Sequence, residues 1–254
     1  MYIDTHVHLN DARFNDRLKE VIEEAKKVGV SRFVCVGYNL KTSADALKIA
    51  IEYPQVYASL GFHPTEIKDI KEEDYLWLEE RAKHEKVVAI GECGFDFHWQ
   101  TTTKEEQYEA FIRQIAIAKK INKPLIIHCR DAMQLTLDVL NNQKAREVGG
   151  VMHAYSGSKE MVPLFIKENF MIGIGGPVTF LNAKAPKEVV ANIDLNYLLS
   201  ETDAPYLAPH PFRGKENRPE FIPLIVAKMA ELRGMDPTTM ATIIMDNARK
   251  LFKF

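Results

Sequence analysis

The sequence is poor in cysteine and has no long apolar run. Its three cysteines, Cys35, Cys93 and Cys129, lie far apart and form no CxxC pair, so we expect neither a disulfide framework nor a thiolate zinc site. No segment approaches the roughly 18 apolar residues of a membrane span. The first ten residues, MYIDTHVHLN, place an aspartate and two histidines where a signal peptide needs its apolar stretch. These absences predict a soluble cytoplasmic protein.

An excess of charge of one sign is also missing. The 254 residues include 33 basic and 35 acidic ones, which gives a net charge of −2. Such a chain has no overall field to draw it to DNA or to anionic lipid, so a nucleic acid substrate must be held by a local site. The hydrophobic fraction of 46% and the charged fraction of 27% are ordinary globular values, which excludes a disordered or fibrous chain. No membrane and no obligate protein partner is expected.

Eight short segments rich in valine, isoleucine and aromatic residues alternate with longer amphipathic segments, as buried parallel strands alternate with helices. The predicted strands cover residues 2–8, 33–37, 56–62, 87–92, 125–129, 150–154, 170–175 and 197–203. The predicted helices cover residues 18–28, 44–53, 72–84, 104–121, 132–144, 160–168, 187–192, 218–233 and 238–251. Thr238, after Pro237, is a usable cap for the last helix.

Eight strand–helix units at this length predict an α/β protein, a (β/α)8 TIM barrel with an extra C-terminal helix. The rival architecture is an open doubly wound sheet, which usually has a glycine-rich turn after its first strand. Here the first strand runs into THVHLN without a glycine. Because no linker or repeat divides the chain, we predict a single domain over residues 1–254.

Histidines are concentrated at the predicted strand ends, where barrels of this kind carry their active sites. These histidines are His6, His8, His63, His128 and His153. His6 and His8 are two residues apart in one strand, so both point to the same face and could converge on one metal. A pair of hydrogen-bonded core histidines is the alternative. Asp4 shares that face, either orienting an imidazole or forming a buried hydrogen-bonded carboxyl group.

Carboxylates end two further predicted strands. Glu92 closes VVAIGE, and a carboxylate at the end of an apolar strand is costly to bury without a cation nearby. The alternative is a salt bridge from Glu92 to an arginine across the barrel. Glu201 and Asp203 end the last strand two residues apart, so they need cations or share a proton. Cys93 and Cys129 alternate with Glu92 and His128, and we expect them to pack on the other face.

Nitrogen and oxygen ligands without a thiolate suit Zn²⁺, Mn²⁺, Ni²⁺ or Fe²⁺, or hydrated Mg²⁺. The candidate ligands are His6, His8, Glu92, His128, His153 and Asp203. This set exceeds the three protein ligands of a single catalytic zinc. Two divalent ions with Glu92 between them use the ligands better.

Seven motifs make the sequence similar to a known family. In order, they are DTHVHL, GFHP, GECGFD, PLIIHCRDA, MHAYSGS, ETDAPYLAP and FRGKENRP. Their order and spacing resemble those of the TatD family of metal-dependent deoxyribonucleases, within the amidohydrolase-like barrels. The resemblance runs from Asp4 to about Pro219. It implies a (β/α)8 barrel with a dinuclear divalent-metal site that cleaves phosphodiesters.

The resemblance also assigns roles by position. It implies that His6, His8 and Asp203 hold one metal and that His128 and His153 hold the other. Glu92 is shared, at a position where many relatives carry a carboxylated lysine. His63, Glu201 and Arg130 match further active-site positions.

The leading interpretation is a divalent-metal-dependent hydrolase of phosphodiesters, a deoxyribonuclease acting as an exonuclease on single-stranded or damaged DNA. We expect two divalent ions, Mg, Mn or Zn, with Ni as a further candidate in a purified sample. The alternative is a dinuclear amidohydrolase-type enzyme for a small cyclic amide, lactone or phosphoester. A metal-stabilised binding protein without activity is a third class, and the complete ligand set argues against it.

Three residues are candidates for proton transfer and for holding a phosphate. Asp203 would accept a proton from the attacking water. Arg130 would offer two donors to a phosphoryl oxygen, unless it forms a surface ion pair with a neighbouring helix. His63 would protonate the leaving oxygen or hold a phosphate, with a purely structural role before Pro64 as the alternative. Glu92 and Glu201 complete the predicted catalytic set.

Two surface features could contact a nucleic acid. Arg213, Lys215 and Arg218 form a local basic patch, which either grips a nucleic acid backbone or belongs to a solvated loop. Trp99 and Phe97 are candidates for stacking on bases, whereas Trp77 is predicted to pack in the core or against a loop.

Overall fold

The computed structural model describes residues 1–99 and 101–254 and contains one parallel sheet of eight strands. The strands are β1 Tyr2–Val7, β2 Val30–Val36, β3 Val56–Leu60, β4 Val87–Asp96, β5 Leu125–Arg130, β6 Gly150–Met152, β7 Phe170–Ile174 and β8 Leu198–Ser200. Each strand pairs with the next along the chain. A bridge between Val7 and Ala204 joins the last segment to the first and closes the barrel. The predicted (β/α)8 barrel is confirmed.

Helices surround the sheet and cover its outer face. They are α1 Leu18–Lys27, α2 Leu40–Glu52, α3 Glu72–Arg81, α4 Lys104–Ile121, α5 Met133–Asn142, α6 Val162–Lys167, α7 Ala185–Asn192, α8 Ile222–Arg233 and α9 Pro237–Phe252. No helix among the described residues combines the length and the apolar character that a membrane crossing needs.

Two helices begin earlier than predicted because a polar residue caps them. Helix α2 begins at Leu40, where the Asn39 side chain accepts from the Thr42 N–H and Thr42 bonds back to the Asn39 backbone. In helix α9 the cap is Asp236, whose carboxylate accepts from the Thr239 N–H at 2.9 Å. Thr238, the predicted cap, lies inside the helix.

Strand β4 is longer than predicted, reaching Asp96 instead of ending at Glu92. Pairing with β5 continues to Asp96 opposite Arg130. Gly94 permits this extension, since its φ is +138° and a Cβ there would lie 2.1 Å from the His128 carbonyl oxygen. The segment GECGFD has too little apolar character to be recognised as strand from its sequence. Its extension brings Asp96 to the carboxyl end of the barrel.

Asp4 joins the first and last segments of the barrel. Its buried carboxyl group accepts from the Thr202 N–H at 2.9 Å and lies 2.5 Å from the Thr202 hydroxyl. A third, longer hydrogen bond comes from the His6 N–H at 3.3 Å. Burial raises the pKa of Asp4 to about 8, so the group is protonated at neutral pH. Asp4 is therefore a buried hydrogen-bonded carboxyl group that contacts the His6 backbone and not its imidazole.

Asp11 caps the 3-10 helix Ala12–Arg17 that follows β1. One carboxylate oxygen accepts from the Arg13 N–H at 2.9 Å, and the Arg13 guanidinium donates to both oxygens at 2.9 Å. The hydrogen bond from the Arg13 side chain lowers the pKa of Asp11 from 3.8 to about 2. The stabilisation is fully present above the unfolded pKa of 3.8 and is lost as the pH falls towards about 2.

Asp11→Ala should therefore lower the free energy of unfolding at pH 7 by about 1–2 kcal/mol, the size of a lost cap with a partly exposed ion pair. Urea denaturation at pH 7 and at about pH 3 should show that the difference in the free energy of unfolding between wild type and Asp11→Ala is smaller at the lower pH. Asp16→Ala is the matched control, because Asp16 is an exposed residue of the same short helix. The same difference in the free energy of unfolding at both pH values would contradict a stabilising role for the ionised Asp11 carboxylate.

Candidate metal centre

The carboxyl ends of the strands open into a cavity of about 910 Å³. The predicted site residues that line it are His8, His63, Glu92, His128, Arg130, His153, Glu201 and Asp203. His6 lies at the same end of the barrel and is fully buried. The structure thus brings together all the residues that the sequence placed at the site.

Glu92 lies at the centre of the site and is surrounded by imidazoles. Its oxygens lie 2.8 Å from His128 Nδ1, 3.5 Å from His6 Nε2, 3.7 Å from His153 Nε2 and 3.9 Å from His63 Nε2. Burial alone would raise the pKa of Glu92, but the surrounding imidazoles hold it well below its ordinary value. Among the described residues the ionic partners of Glu92 are histidines, so the alternative of an arginine across the barrel is wrong.

His6, His8 and Asp203 form one group of converging donor atoms. The Asp203 carboxylate lies 3.3 Å from His8 Nε2 and 3.8 Å from His6 Nε2. The Val36 carbonyl lies 3.0 Å from His8 Nδ1, so Nδ1 carries the hydrogen in the neutral ring and the Nε2 lone pair faces Asp203. Within the described structure both ring nitrogens of His6 are buried without a hydrogen-bond partner. Because unpartnered buried polar atoms are costly, a bound cation fits this group.

His63, Glu92 and His128 form a second group. His153 lies between the two groups, since its Nε2 is 3.7 Å from Glu92 and 3.9 Å from Asp203. The His153 ring also stacks on His6 with ring centroids 3.4 Å apart. Burial opposes a charge on His153, but the neighbouring carboxylates raise its pKa to about 10. The site therefore favours positive charge at its centre, which is the property a metal centre requires.

Glu201 contacts His153 on the nitrogen that faces away from Glu92. Its Oε1 lies 2.9 Å from His153 Nδ1 and accepts from the Ala154 N–H at 2.6 Å. Gly173 on β7 leaves room for this carboxylate, because a Cβ there would lie 2.4 Å from Glu201 Oε2. A carboxylate behind an imidazole fixes the tautomer and the orientation of the ring. The geometry therefore favours an orienting role for Glu201 over direct contact with a substrate.

Asp96 was missed by the sequence analysis. Its Oδ2 lies 2.9 Å from His128 Nε2, while its Oδ1 accepts from the N–H groups of His98 and Trp99 at 2.9 Å each. Asp96 thus holds the ring nitrogen of His128 that does not face Glu92. A signal was present, because residues 92, 94 and 96 share one face of a strand.

His63 is held at the edge of the cavity by the turn that follows it. Its Nδ1 accepts from the Thr65 N–H at 3.2 Å and lies 2.7 Å from the Thr65 hydroxyl. Burial, aided by the neighbouring His128, lowers the pKa of His63 to about 3. The ring is therefore neutral, and its hydrogen sits on Nε2, which points towards Glu92.

Arg130 is exposed at the rim of the cavity. It forms no ion pair within residues 1–99 and 101–254, so the alternative of a surface ion pair is not observed. Trp99 also lines the rim and is exposed. Trp77 packs against the core as predicted.

The basic patch is partly neutralised by its neighbours. Arg218 lies 3.4 Å from the Glu216 carboxylate and 3.8 Å from that of Glu220. The Arg213 guanidinium lies 4.5 Å over the Phe180 ring. These contacts favour the reading of a surface loop over that of a grip on a nucleic acid backbone.

A closed (β/α)8 barrel whose mouth gathers imidazoles around a buried carboxylate is the architecture of a metal-dependent hydrolase. Comparison with known proteins gives the family. The model of the TatD-related DNase family matches residues 3–253. The chain therefore belongs to the TatD-related DNase family.

Individual relatives cover the whole chain. The uncharacterized metal-dependent hydrolase YabD of Bacillus subtilis is 47% identical over 253 residues, which cover 100% of this chain and 99% of that protein. The 3'-5' ssDNA/RNA exonuclease TatD of a Rahnella species is 34% identical, over 97% of this chain and 96% of that protein. The crystal structure of the TatD homolog YjjV of Escherichia coli superposes with a TM-score of 0.94 at 30% identity, covering 100% of this chain and 98% of that one.

Glu201→Ala should weaken metal binding by about 10- to 100-fold, because His153 loses the carboxylate that orients it. Glu201→Gln keeps an acceptor oxygen, so its metal affinity should fall less than that of Glu201→Ala. Competition for Mn²⁺ or Zn²⁺ against a chelator of known affinity measures both effects. Glu231→Ala is the control, since Glu231 is an exposed residue of α8 that pairs with Lys228. Wild-type metal affinity in Glu201→Ala would refute the orienting role.

Proposed function

We propose that this chain is a deoxyribonuclease that removes nucleotides from the end of single-stranded or damaged DNA with the help of two divalent ions. One observation carries the proposal: the Glu92 carboxylate, surrounded by imidazoles, lies at the base of an open cavity. The relative named as a 3'-5' ssDNA/RNA exonuclease supports the substrate class. The open cavity of about 910 Å³ has room for a nucleotide at a strand end.

One proposed ligand set, His6, His8 and Asp203, is the first group of converging donors. The other follows the ligand positions of the family, with His153 in place of the His63 that converges with Glu92 and His128. His6, His8 and Asp203 would hold one ion, and His128 and His153 the other, with Glu92 between them. The distances of 3.3–3.9 Å that join His6, His8 and His153 to Asp203 are those of donors facing a common centre. When bound, divalent ions lower the pKa of a coordinated water and polarise phosphoryl oxygens.

Asp203 would accept a proton from the attacking water. Burial works against its ionisation, but His153 and His8 lower the pKa of Asp203 below its ordinary value. It is therefore a carboxylate at neutral pH and can take up a proton. Its Oδ1, 3.3 Å from His8 Nε2, is the atom that faces the imidazoles.

Two residues at the wall and rim of the cavity would handle the phosphate and the leaving group. Neutral His63 carries its hydrogen on Nε2 and can donate a hydrogen bond to the leaving oxygen or to a phosphate oxygen, whereas protonating the leaving oxygen would need the charged ring. Arg130 presents an exposed guanidinium, whose planar donors match two phosphate oxygens. Glu201 and Asp96 act on the opposite side, by orienting His153 and His128.

A cleavage assay on end-labelled single-stranded DNA tests the function. The metal-loaded protein should shorten the strand, a chelator should stop it, and Asp203→Asn should lower kcat by at least about 100-fold, as expected for loss of a general base. Asp131→Asn is the matched control, because Asp131 is an exposed aspartate that lines the same cavity. Absence of cleavage with Mg²⁺, Mn²⁺ and Zn²⁺ would refute the nuclease and favour a small-molecule hydrolase.

A further inference from the structure

The segment 202–207 carries Asp203 into the site and then forms part of the cavity rim. Two of its residues, Asp203 and Leu207, have left-handed backbones with φ of 57° and 53°. Left-handed φ values are uncommon for residues other than glycine, and such strain persists only where the surroundings enforce it. The conformation of this segment is therefore imposed by contacts with the rest of the barrel.

Asn217 supplies several of those contacts, in addition to the backbone hydrogen bonds that join Asp203 to His6 and Ala204 to His8. Its fully buried side chain donates to the Thr202 carbonyl at 2.7 Å and to the Tyr206 carbonyl at 2.6 Å. Its backbone N–H donates to the Pro205 carbonyl at 3.1 Å. Three hydrogen bonds from one residue thus fix both ends of the segment that holds Tyr206.

Tyr206 is held in place from a second side. The Arg13 guanidinium lies 4.5 Å over its ring, and Asp11 holds Arg13 by two hydrogen bonds of 2.9 Å. The Tyr206 hydroxyl lies 3.3 Å from the Asp11 carboxylate. The ring is therefore fixed in position, while 44% of the residue surface stays exposed.

The exposed part of Tyr206 belongs to the cavity. Tyr206 lines it together with Leu207, and the Tyr206 ring centroid lies 6.0 Å from that of His8. A rigid aromatic ring that is exposed beside a reactive centre offers contact area at a small entropic cost. The net charge of −2 provides no long-range hold on a polyanion, so such contacts must supply part of the affinity.

We propose that Tyr206 is a substrate-positioning residue whose ring stacks on the base of the nucleotide beside the bond that is cut. The proposal rests on the nuclease function proposed above. Stacking tolerates any sequence, because every base has a π face. Tyr206 would thereby set the position of the phosphate relative to His8 and Asp203 without selecting a base.

A double-mutant cycle tests this role, in which the Tyr206 side chain and the nucleotide base are removed separately and together. The substrates are a labelled single strand and the same strand with an abasic analogue at the last or the penultimate nucleotide. At one of these positions the wild type should lose about 5- to 150-fold in kcat/KM, mainly through KM, the range for one stacked base. Tyr206→Leu should show that loss on the intact strand and little further loss on the abasic one. Tyr206→Phe keeps the ring and its contact with Arg13 but loses the hydroxyl beside Asp11, so it should retain most of the effect of removing the base, unlike Tyr206→Leu.

A second measurement does not depend on turnover. The fluorescence of 2-aminopurine at the same nucleotide should be quenched on binding to Asp203→Asn protein, and Tyr206→Leu in that background should remove the quenching. Tyr108→Leu is the matched control, because Tyr108 is an exposed tyrosine of α4. Melting temperatures of all variants report on folding.

The outcomes separate the two proposals. If removing the base lowers kcat/KM equally in wild type and in Tyr206→Leu, the stacking role is overturned and the nuclease function is left intact. The stacking role is also overturned if Tyr38→Leu, and not Tyr206→Leu, removes this loss, because the Tyr38 ring also lies beside His8, with ring centroids 5.5 Å apart. A wild-type protein that neither cleaves nor binds the intact strand overturns both.

Discussion

The burial of one carboxylate governs the architecture of the site. The Glu92 carboxylate lies among apolar strands, and only 4% of the residue surface is exposed. A negative charge buried in this way is tolerated only beside positive partners. Imidazoles from four parts of the barrel approach it, and the carboxylates of Asp96 and Glu201 stand behind two of them. From Glu92 outward, a carboxylate is thus followed by imidazoles, and two of these imidazoles are followed by further carboxylates. The loss of one group would leave its neighbours with unmatched charge.

The sequence was sufficient for the barrel and for the convergence of the ligands, because both follow from short-range periodicity. Apolar strands alternate with amphipathic helices, and His6 and His8 share a face through the period of two. The contacts that each site residue makes cannot be predicted from this periodicity. The sequence predicts Glu201 and Asp203 as equivalent positions on one face of the last strand. In the structure β8 ends at Ser200, before both residues, and Asp203 has a left-handed backbone, while Glu201 meets the Ala154 N–H, 47 positions earlier in the chain.

The FRGKENRP segment shows the same limit. In the sequence its cations are conspicuous, whereas Asn217 is an ordinary polar residue. In the structure Arg218 is paired with its own neighbours, while Asn217 is buried and fixes the segment that carries Asp203. Charge is visible in a sequence because it belongs to a residue type, whereas a buried amide acquires its importance only from the carbonyl groups that surround it.

The closure between β1 and β8 has a consequence for the newly made chain. Asp4 and Thr202, which bond across this seam, are 198 positions apart, and His6 meets Asp203 at the same place. During synthesis a chain that lacks its last strand already carries five of the six proposed ligands but lacks Asp203, which reaches His6 only when the barrel closes. An ion held by His6, His8 and Asp203 together would stabilise only the finished barrel, so such binding would report that the barrel has closed on itself.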